Sequence, residues 1–435
     1  MQSILNRDII APDIAWMMGN FIVDDAWFGR HINRIKHYML DKGVLKGDTV
    51  VISLLGVDPT HVASLIACAE LGCKLFLLDT PATEESLPYT KIALHGGADW
   101  YIHSGLGGHG AYDGLHGKLL ERYCGESIEL EDIYKDGIPD GYDEHIQPWK
   151  VEPEDTLLVS STSGTTKPSR AVLFSHKEVM AISHRNIPIF KFDKKSRVCH
   201  SRNLHHASAL LTSLLPSLMV AKVHFTFPVS HHHPIPMEGY VTDRRKDFET
   251  IQSQNMTHIM IPNRTALNDF LDFFDKPFDT ELNINMCGFA MTPAFREIAE
   301  KYNVCFDSHY GSIDTAIPLL VNRVDKNTDV ISNCLGEVPD DFYKVTYRKN
   351  TLHVSHPWWD KSREMEDIVY RCNVNDKVLY LLGGRKKANT TAWDLVVKHD
   401  MEDLDLSVFG HDTKVSMEQL RGHIATVKGI PYEDV

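Results

Sequence analysis

The first third of the chain alternates between continuous apolar runs and segments with helical periodicity. Residues 50–55 and 74–78 are apolar runs, and residues 59–70 between them have the pattern of a helix. An earlier helical pattern carries Trp27, Ile32, Ile35 and Met39 and ends near Gly43. Apolar strands that alternate with helices are typical of a parallel sheet covered on both faces. The pattern therefore predicts a first α/β subdomain over about residues 1–150.

A second α/β pattern begins near residue 155. Strand-like runs at 222–227, 257–262, 284–290 and 304–306 are separated by helical segments, which predicts a second subdomain over 151–329. Beyond about residue 330 only short strand patterns follow, at 344–347, 352–355, 368–370 and 378–382. The predicted fold class is α/β. Two doubly wound βαβ subdomains and a small β subdomain (330–384) make one large N-terminal domain (1–384), and a short C-terminal remnant (385–435) follows it.

Composition and charge restrict the class of protein. A chain of 435 residues exceeds the size at which one core stops growing, and its formal net charge of −14 argues against nucleic-acid binding. Residues 207–221 are the longest apolar-leaning run, and Pro216 interrupts them, so no membrane span is expected. The eight cysteines form no CxxC pair, and the N-terminus has no signal-peptide pattern. These features predict a cytoplasmic protein with reduced thiols.

The segment 160–172 carries the strongest chemical signal. An apolar run leads into four hydroxyl residues around Gly164, and Arg170 follows. Glycine allows the backbone to approach an anion closely, and hydroxyl and N–H groups can donate to phosphate oxygens. The G-x-x-x-x-G-K-[ST] pattern of the common P-loop is absent. A polyphosphate-binding loop and a flexible Ser/Thr linker both remain open from this segment alone.

Further motifs follow the hydroxyl-rich segment in a fixed order. They are Ser175-His176, Gly288-Phe289-Ala290, Tyr310-Gly311-Ser312-Ile313-Asp314, Glu366-Asp367 and Gly383-Gly384-Arg385. Taken singly, a residue such as Tyr310 is usually a core or interface aromatic, and one such as Asp367 is more often a solvated turn carboxylate. Arg385, beside Lys386 and Lys387, is also consistent with a surface charge run. In this order, over about residues 25–390, the chain resembles the adenylate-forming superfamily. That superfamily includes acyl-CoA synthetases, luciferases and the adenylation domains of peptide synthetases.

The resemblance implies a nucleotide site with assigned roles. The loop of Thr162, Ser163, Gly164, Thr165 and Thr166 would hold the ATP phosphates, and Asp314 would ligate Mg²⁺, which prefers carboxylate oxygen. Tyr310 would stack on adenine, Asp367 would accept hydrogen bonds from the ribose hydroxyls, and Arg385 would contact ribose or phosphate. The remaining expected nucleotide contacts are Gly288, Phe289, Ala290, His309, Gly311 and Ser312.

Catalytic and acid-binding residues are implied in the same way. Arg170, His205 and Asp314 are the expected catalytic residues, and His205, His206 and Gly336 are the expected contacts to the acid. His206 stands where amino-acid-activating domains carry an aspartate, which favours a carboxylic acid without an α-amino group. Packed or surface histidines remain the alternative for His205 and His206. The His231-His232-His233 run is interpreted as a loop, because adjacent histidines rarely converge on one metal ion.

The chain departs from the family pattern at several positions. Lys167 replaces a loop glycine, Arg170 replaces a lysine, and Ile313 replaces a threonine whose hydroxyl would face the α-phosphate. The family's C-terminal lysine signature is not found after Arg385. We therefore predict an AMP-forming acid ligase that uses ATP and Mg²⁺ and transfers the acyl group to CoA, a carrier-protein thiol or an amine. A degenerate nucleotide-binding protein and one half of a split ligase are the alternatives.

Overall fold

The computed structural model describes residues 4–18, 21–53, 59–77, 97–103, 124–130, 132–135, 138–161, 171–200, 207–226, 244–261, 264–274, 276–287, 291–313, 316–359, 361–365, 367–374 and 377–385. The chain divides into two compact units. The first comprises residues 1–261 and 278–285, and the second comprises residues 262–277 and 286–435.

The first unit contains a six-stranded sheet. Its strands are β3 (Thr49–Ser53), β4 (Lys74–Leu77), β5 (Ala98–His103), β6 (Cys124–Glu129), β7 (Thr156–Ser161) and β8 (Ala171–Ser175), in the order β6-β5-β3-β4-β7-β8. All neighbouring pairs are parallel except the antiparallel pair of β7 and β8. Val50, Val51 and Ile52 of the central strand are fully buried, which is why this strand reads as a continuous apolar run.

Six strands of a second sheet lie in the first unit, in the order β12-β11-β9-β10-β1-β2. The strands are β1 (Ala15–Met18), β2 (Phe21–Asp24), β9 (Arg197–His200), β10 (Val223–Thr226), β11 (His258–Ile261) and β12 (Leu282–Cys287), with β12 belonging to this unit as far as Asn285. Strands β1, β10, β9 and β11 run parallel, and β2 is antiparallel to β1. The sequence prediction missed β1 and β2. The predicted parallel α/β architecture is confirmed.

The helices of the first unit are α1 (Asp25–Lys42), α2 (Pro59–Glu70), α3 (Asp132–Lys135), α4 (His176–Ile189), α5 (Ala207–Ala209), α6 (Leu215–Leu218) and α7 (Arg244–Ser253). A π-helical turn, Leu210–Leu214, joins α5 to α6. Two buried amides reach the carbonyls of this turn: Asn186 Nδ2 donates to Leu211 O at 2.8 Å and Asn285 Nδ2 donates to Thr212 O at 3.4 Å. These bonds fix the turn against α4 and against the sheet.

Helix α1 also fixes a segment without regular secondary structure, residues 142–146. Arg34 pairs with Asp143 at 2.6 Å, the Tyr142 hydroxyl donates to Asp41 at 2.5 Å, and Lys36 Nζ donates to Ile146 O at 2.5 Å. Side chains of one helix thereby supply hydrogen bonds to a segment that has no regular secondary structure of its own.

Lys36 and Glu70 form a buried ion pair in the first unit. Lys36 Nζ lies 2.6 Å from Glu70 Oε2, and the two side chains are 0% and 4% exposed. Glu70 Oε1 also accepts a hydrogen bond from the Arg7 N–H at 2.9 Å. Both carboxylate oxygens therefore have donors, and the pair connects α1, α2 and the N-terminal segment.

The second unit contains helices α8 (Arg264–Leu271) and α9 (Ala294–Tyr302) and the strands after β12. β13 (Val304–Ser312) pairs antiparallel with β14 (Ala316–Val324). Two three-stranded sheets follow, β15-β20-β19 and β16-β17-β18. Their strands are β15 (Cys334–Gly336), β16 (Lys344–Arg348), β17 (Thr351–Ser355), β18 (Arg363–Glu364), β19 (Asp367–Val374) and β20 (Lys377–Arg385). The short strands predicted after residue 330 are therefore present.

None of the helices in the described part of the chain has both the length and the apolar character needed to cross a bilayer.

Candidate active site

The end of β13 and the start of β19 bring two predicted nucleotide-binding residues into contact. The Tyr310 hydroxyl donates to Asp367 Oδ2 at 2.6 Å, and the contact is partly buried. The Tyr310 ring packs against a core cluster that includes Leu320 and Val369. Packing on one side and a short hydrogen bond to a charged acceptor on the other hold both side chains in defined positions.

Arg385 lies directly across the sheet from Asp367. The two residues are register partners in the antiparallel pair of β19 and β20, in which Asp367 is the first residue of β19 and Arg385 is the last residue of β20. The ladder shifts register between Ile368 and Val369, next to this pair. A hydrogen bond thus joins Tyr310 to Asp367, and the strand register pairs Asp367 with Arg385, although the three residues are far apart in the sequence.

The exposed end of β13 carries the other predicted contacts. Strand residues up to His309 are buried, whereas Tyr310 and Ser312 are half-buried and Gly311 is exposed. The pairing with β14 is irregular between Tyr310 and Ser312. The buried stretch anchors the strand, and the irregular end presents its residues at the surface of the unit.

Gly336 has a clear structural reason to be glycine. Its φ is +104°, and a Cβ at this position would collide with the Val321 carbonyl. Glu337 and Val321 exchange backbone hydrogen bonds at 2.9 Å and 3.1 Å beside it. The close approach of these two strands is sufficient to explain the residue type, and its contact with the acid stays a prediction.

Ser175 and His176 have structural partners at the start of α4. The Ser175 hydroxyl accepts a hydrogen bond from Glu178 N at 3.3 Å, and Glu178 Oε2 accepts one from Ser175 N at 2.9 Å, which completes a capping box. His176 Nδ1 accepts a hydrogen bond from the Leu5 N–H at 3.3 Å. Burial lowers the pKa of His176 to about 4. These residues therefore fix the helix that follows β8.

Most of the predicted phosphate, acid and metal contacts lie outside the described residues. They are Thr162, Ser163, Gly164, Thr165, Thr166, Arg170, His205, His206, Gly288, Phe289, Ala290 and Asp314. The described strand ends beside the hydroxyl-rich segment are paired, because Ser161 and Ala171 are register partners of β7 and β8.

The sequence analysis missed a pair of buried histidines, His200 and His224. They lie on neighbouring strands of the second sheet, with His200 Nε2 at 3.0 Å from His224 Nδ1. The available signal was the presence of histidine inside two otherwise apolar strands, Arg197–His200 and Val223–Thr226.

Comparison with solved structures identifies the fold. The N-terminal domain of FACL13 from Mycobacterium tuberculosis is 15% identical, with a TM-score of 0.69 over 87% of this chain and 97% of that one. ATP-bound MatB from Rhodopseudomonas palustris is 14% identical, with a TM-score of 0.67 over 89% and 79%. O-succinylbenzoate coenzyme A synthetase (MenE) from Bacillus subtilis, in complex with AMP, is 17% identical, with a TM-score of 0.66 over 87% and 96%.

The search of curated proteins gave no significant match. A family model described as "AMP-binding enzyme" matches residues 27–337, which is well over half of the chain. The matched region includes the hydroxyl-rich segment and Tyr310. The chain therefore belongs to the AMP-binding enzyme family.

Proposed function

We propose that this protein uses ATP to convert a carboxylic acid into its acyl adenylate and then transfers the acyl group to a thiol or an amine. The observation that carries the proposal is the 2.6 Å contact between Tyr310 and Asp367, with Arg385 in register beside them, in a member of the AMP-binding enzyme family. The ring and the carboxylate suit the base and the sugar hydroxyls of a nucleotide, and Arg385, the register partner of Asp367, is a basic residue that suits a phosphate.

The nucleotide roles follow from the chemistry of these groups. The Tyr310 ring offers a flat face on which adenine can stack. An ionised carboxylate only accepts hydrogen bonds, so Asp367 suits the two ribose hydroxyls, which donate them. Asp367 is partly buried where it meets Tyr310, at the first residue of β19. Arg385, at the end of β20, suits a phosphate or ribose oxygen.

The proposed reaction brings two anions together. A carboxylate oxygen bonds to the α-phosphorus of ATP while the bond from that phosphorus to the bridging oxygen of pyrophosphate breaks, and the electron pair leaves with pyrophosphate. Such a step needs cations and donors where negative charge accumulates. We assign the phosphates to Thr162, Ser163, Gly164, Thr165 and Thr166 together with Arg170, and we assign Mg²⁺, which would neutralise phosphate charge, to the Asp314 carboxylate.

The acid and the acceptor are proposed as chemical classes only. His205, His206 and Gly336 are the candidate acid contacts, and the histidine at position 206 favours an acid without an α-amino group. CoA is the favoured acceptor, because the solved neighbours include a protein named as a coenzyme A synthetase. A carrier-protein thiol is the chemically equivalent alternative.

Pyrophosphate exchange tests the adenylation step. The full-length protein is incubated with ATP, Mg²⁺, labelled pyrophosphate and each member of a panel of carboxylic acids, and label entering ATP is counted. At least one acid should support exchange that Asp367→Asn weakens. The matched control is Asp329→Asn, an exposed carboxylate of the same unit that pairs with Arg296. Exchange with no acid, in a protein that binds AMP in calorimetry, would remove the catalytic proposal.

A second candidate function is nucleotide binding without catalysis. Ile313, which follows β13, supplies no hydroxyl where the family has threonine, and Lys167 replaces a loop glycine. Loss of one transition-state donor costs about 2.7–4 kcal/mol in other oxyanion sites. AMP binding without exchange would favour this candidate, and restored exchange in Ile313→Thr would identify the missing donor.

A further inference from the structure

A buried polar network connects three neighbouring parallel strands in the first unit. It consists of Trp16 on β1, His224 and Thr226 on β10, and His200 on β9. Trp16 and His224 are 0% exposed, and His200 and Thr226 are 4% exposed. The Trp16 ring stacks on His200 at 4.9 Å and on His224 at 5.1 Å between centroids. The proposed adenylation chemistry uses none of these side chains.

The hydrogen bonds of this network determine where each imidazole proton lies. The Ala221 carbonyl can only accept, so His224 Nε2, at 3.1 Å from it, carries a proton and donates. The neutral ring of His224 then has a bare Nδ1, which accepts from His200 Nε2 at 3.0 Å. His200 therefore donates through Nε2 and keeps an unprotonated Nδ1. Burial lowers the pKa of His224 to about 4 and that of His200 well below its ordinary value, so both rings stay neutral near neutral pH.

The Nδ1 of His200 is the one polar ring atom of the two histidines that has no hydrogen-bond partner among the described residues. The neighbouring indole cannot supply a donor, because Trp16 Nε1 donates to Thr226 Oγ1 at 2.5 Å. The His200 side chain is 4% exposed, and a hydrogen bond to an acceptor in such a largely buried side chain is favourable. The network thus holds one acceptor ready for a donor from outside the described residues.

The position of His200 indicates which ligand can bring that donor. His200 is two residues after Val198, so the two side chains share one face of the sheet. Val198 packs there against Phe190, Phe192 and Ala221, which places this face under the segment that follows α4. His200 is the last residue of β9, and ligands of open α/β sheets bind at the carboxyl ends of strands. The next residues along the chain, 201–206, include the candidate acid contacts His205 and His206.

We propose that His200 Nδ1 is a specificity-determining acceptor that binds a hydroxyl or amide N–H group of the carboxylic acid substrate. This inference rests on the proposed function and narrows its substrate class. A neutral acceptor cannot bind the carboxylate itself, which also only accepts hydrogen bonds. It favours an acid that carries a donor elsewhere in the molecule. A site that is built around a substrate hydroxyl rejects the analogue without it, because the protein group is then left unpaired.

The test compares matched acids in pyrophosphate exchange. The probes are benzoate with its three hydroxy and three methoxy isomers, and butanoate with its 2-, 3- and 4-hydroxy derivatives. The wild type should prefer a hydroxylated acid over both its unsubstituted and its methoxy counterpart by at least about tenfold in kcat/KM. Equal use of hydroxylated and unsubstituted acids across the panel would overturn the inference and leave the adenylation proposal standing.

Three variants separate recognition from stability. His200→Phe keeps a ring beside Trp16 and removes the acceptor, so the preference should fall to less than about twofold while the unsubstituted acid is still used. His200→Gln should retain part of the preference, since its amide nitrogen can donate to His224 and its oxygen can accept. Ser183→Ala is the matched control and should keep the full preference, because it removes a buried hydroxyl that lies outside the network and donates to Val179 O at 2.7 Å. An unchanged preference in a folded His200→Phe protein contradicts the inference.

Nitrogen-15 NMR of histidine-labelled protein gives a measurement that needs neither catalysis nor a stable variant at His200. Two-bond proton–nitrogen correlations should show His200 protonated at Nε2 and bare at Nδ1. His224→Gln supports the assignment by removing the partner signals. The preferred hydroxylated acid should shift the Nδ1 resonance, and the unsubstituted acid should not. A protonated His200 Nδ1, or an Nδ1 resonance that no hydroxylated acid shifts, would contradict the inference. No exchange with any acid, together with an Nδ1 shift, would instead sink the adenylation proposal alone.

Discussion

The two units each contain a short contact to a carboxylate, and the two contacts differ in how deeply they are buried. In the first unit, Glu70 accepts from Lys36 and from the Arg7 N–H, and Lys36 also donates to the Ile146 carbonyl, with both side chains buried. In the second unit, Tyr310 donates to Asp367 at a partly buried strand end. The first contact is buried and saturated, because both Glu70 oxygens have donors, and it stabilises the fold. The carboxylate at the partly buried strand end can instead be reached by a ligand.

The largest expected effect comes from breaking the saturated contact. Lys36→Met should lower the free energy of unfolding by about 3–5 kcal/mol, because it leaves Glu70 charged, buried and short of one donor. Urea denaturation followed by circular dichroism measures this. Lys36→Met combined with Glu70→Leu should recover most of the loss. The control is Lys46→Met, at a pair whose side chains are 45% and 42% exposed, and it should cost less than about 1 kcal/mol. If Lys36→Met has the same urea midpoint as the wild type, the ion pair does not contribute to the stability of the fold.

The carboxylate of the second unit should matter for ligand binding instead. Asp367→Asn should weaken AMP binding by about 10- to 100-fold, the range for hydrogen bonds to a charged group. Calorimetry with AMP checks this, and 2′-deoxy- and 3′-deoxy-AMP locate the loss at the ribose hydroxyls. The Asp367→Asn variant should bind the deoxynucleotides nearly as tightly as it binds AMP. The comparison fails if Asp367→Asn unfolds the protein as severely as Lys36→Met does.

Acid pH should weaken the first unit through its buried histidines. The folded-state pKa of His224 is lowered to about 4 by burial, so its contribution to stability is fully present above about pH 6.5 and is lost as the pH falls toward 4. With that value, His224 removes about 2 kcal/mol of stability between about pH 7 and about pH 5. Urea midpoints measured across this range should fall more steeply for the wild type than for His224→Phe. Parallel curves would show that His224 does not titrate differently on unfolding.

The smallest expected effect is that of the Tyr310 hydroxyl on stability. Tyr310→Phe keeps the ring packed on its core cluster and removes one partly buried hydrogen bond, so unfolding should become easier by about 1 kcal/mol. The free energy of AMP binding should change by more than the free energy of unfolding, because Asp367 loses the donor that orients it. Thermal unfolding and calorimetry on the same sample measure both. A stability loss near that of Lys36→Met would remove the distinction between the two contacts.

Much of the architecture could be predicted because the pattern is local. Apolar runs such as residues 50–55 identify buried parallel strands from composition alone, and the contact of Tyr310 with Asp367 agrees with the order of the motifs. Strands β1 and β2 were missed, because β1 is short and its parallel partner β10 lies some two hundred residues away. The same long-range pairing brings Trp16 to His224. No local pattern encodes such a neighbour, so the histidine network could only be found in three dimensions.

Residues 142–146 show that a stretch of chain needs no secondary structure to be held firmly. Its bonds to Arg34, Lys36 and Asp41 all come from one helix, α1. Changing the length of this stretch by a single residue would put every later donor and acceptor out of step with the helix. Evolution or engineering can therefore vary its exposed side chains freely but has little freedom to lengthen it.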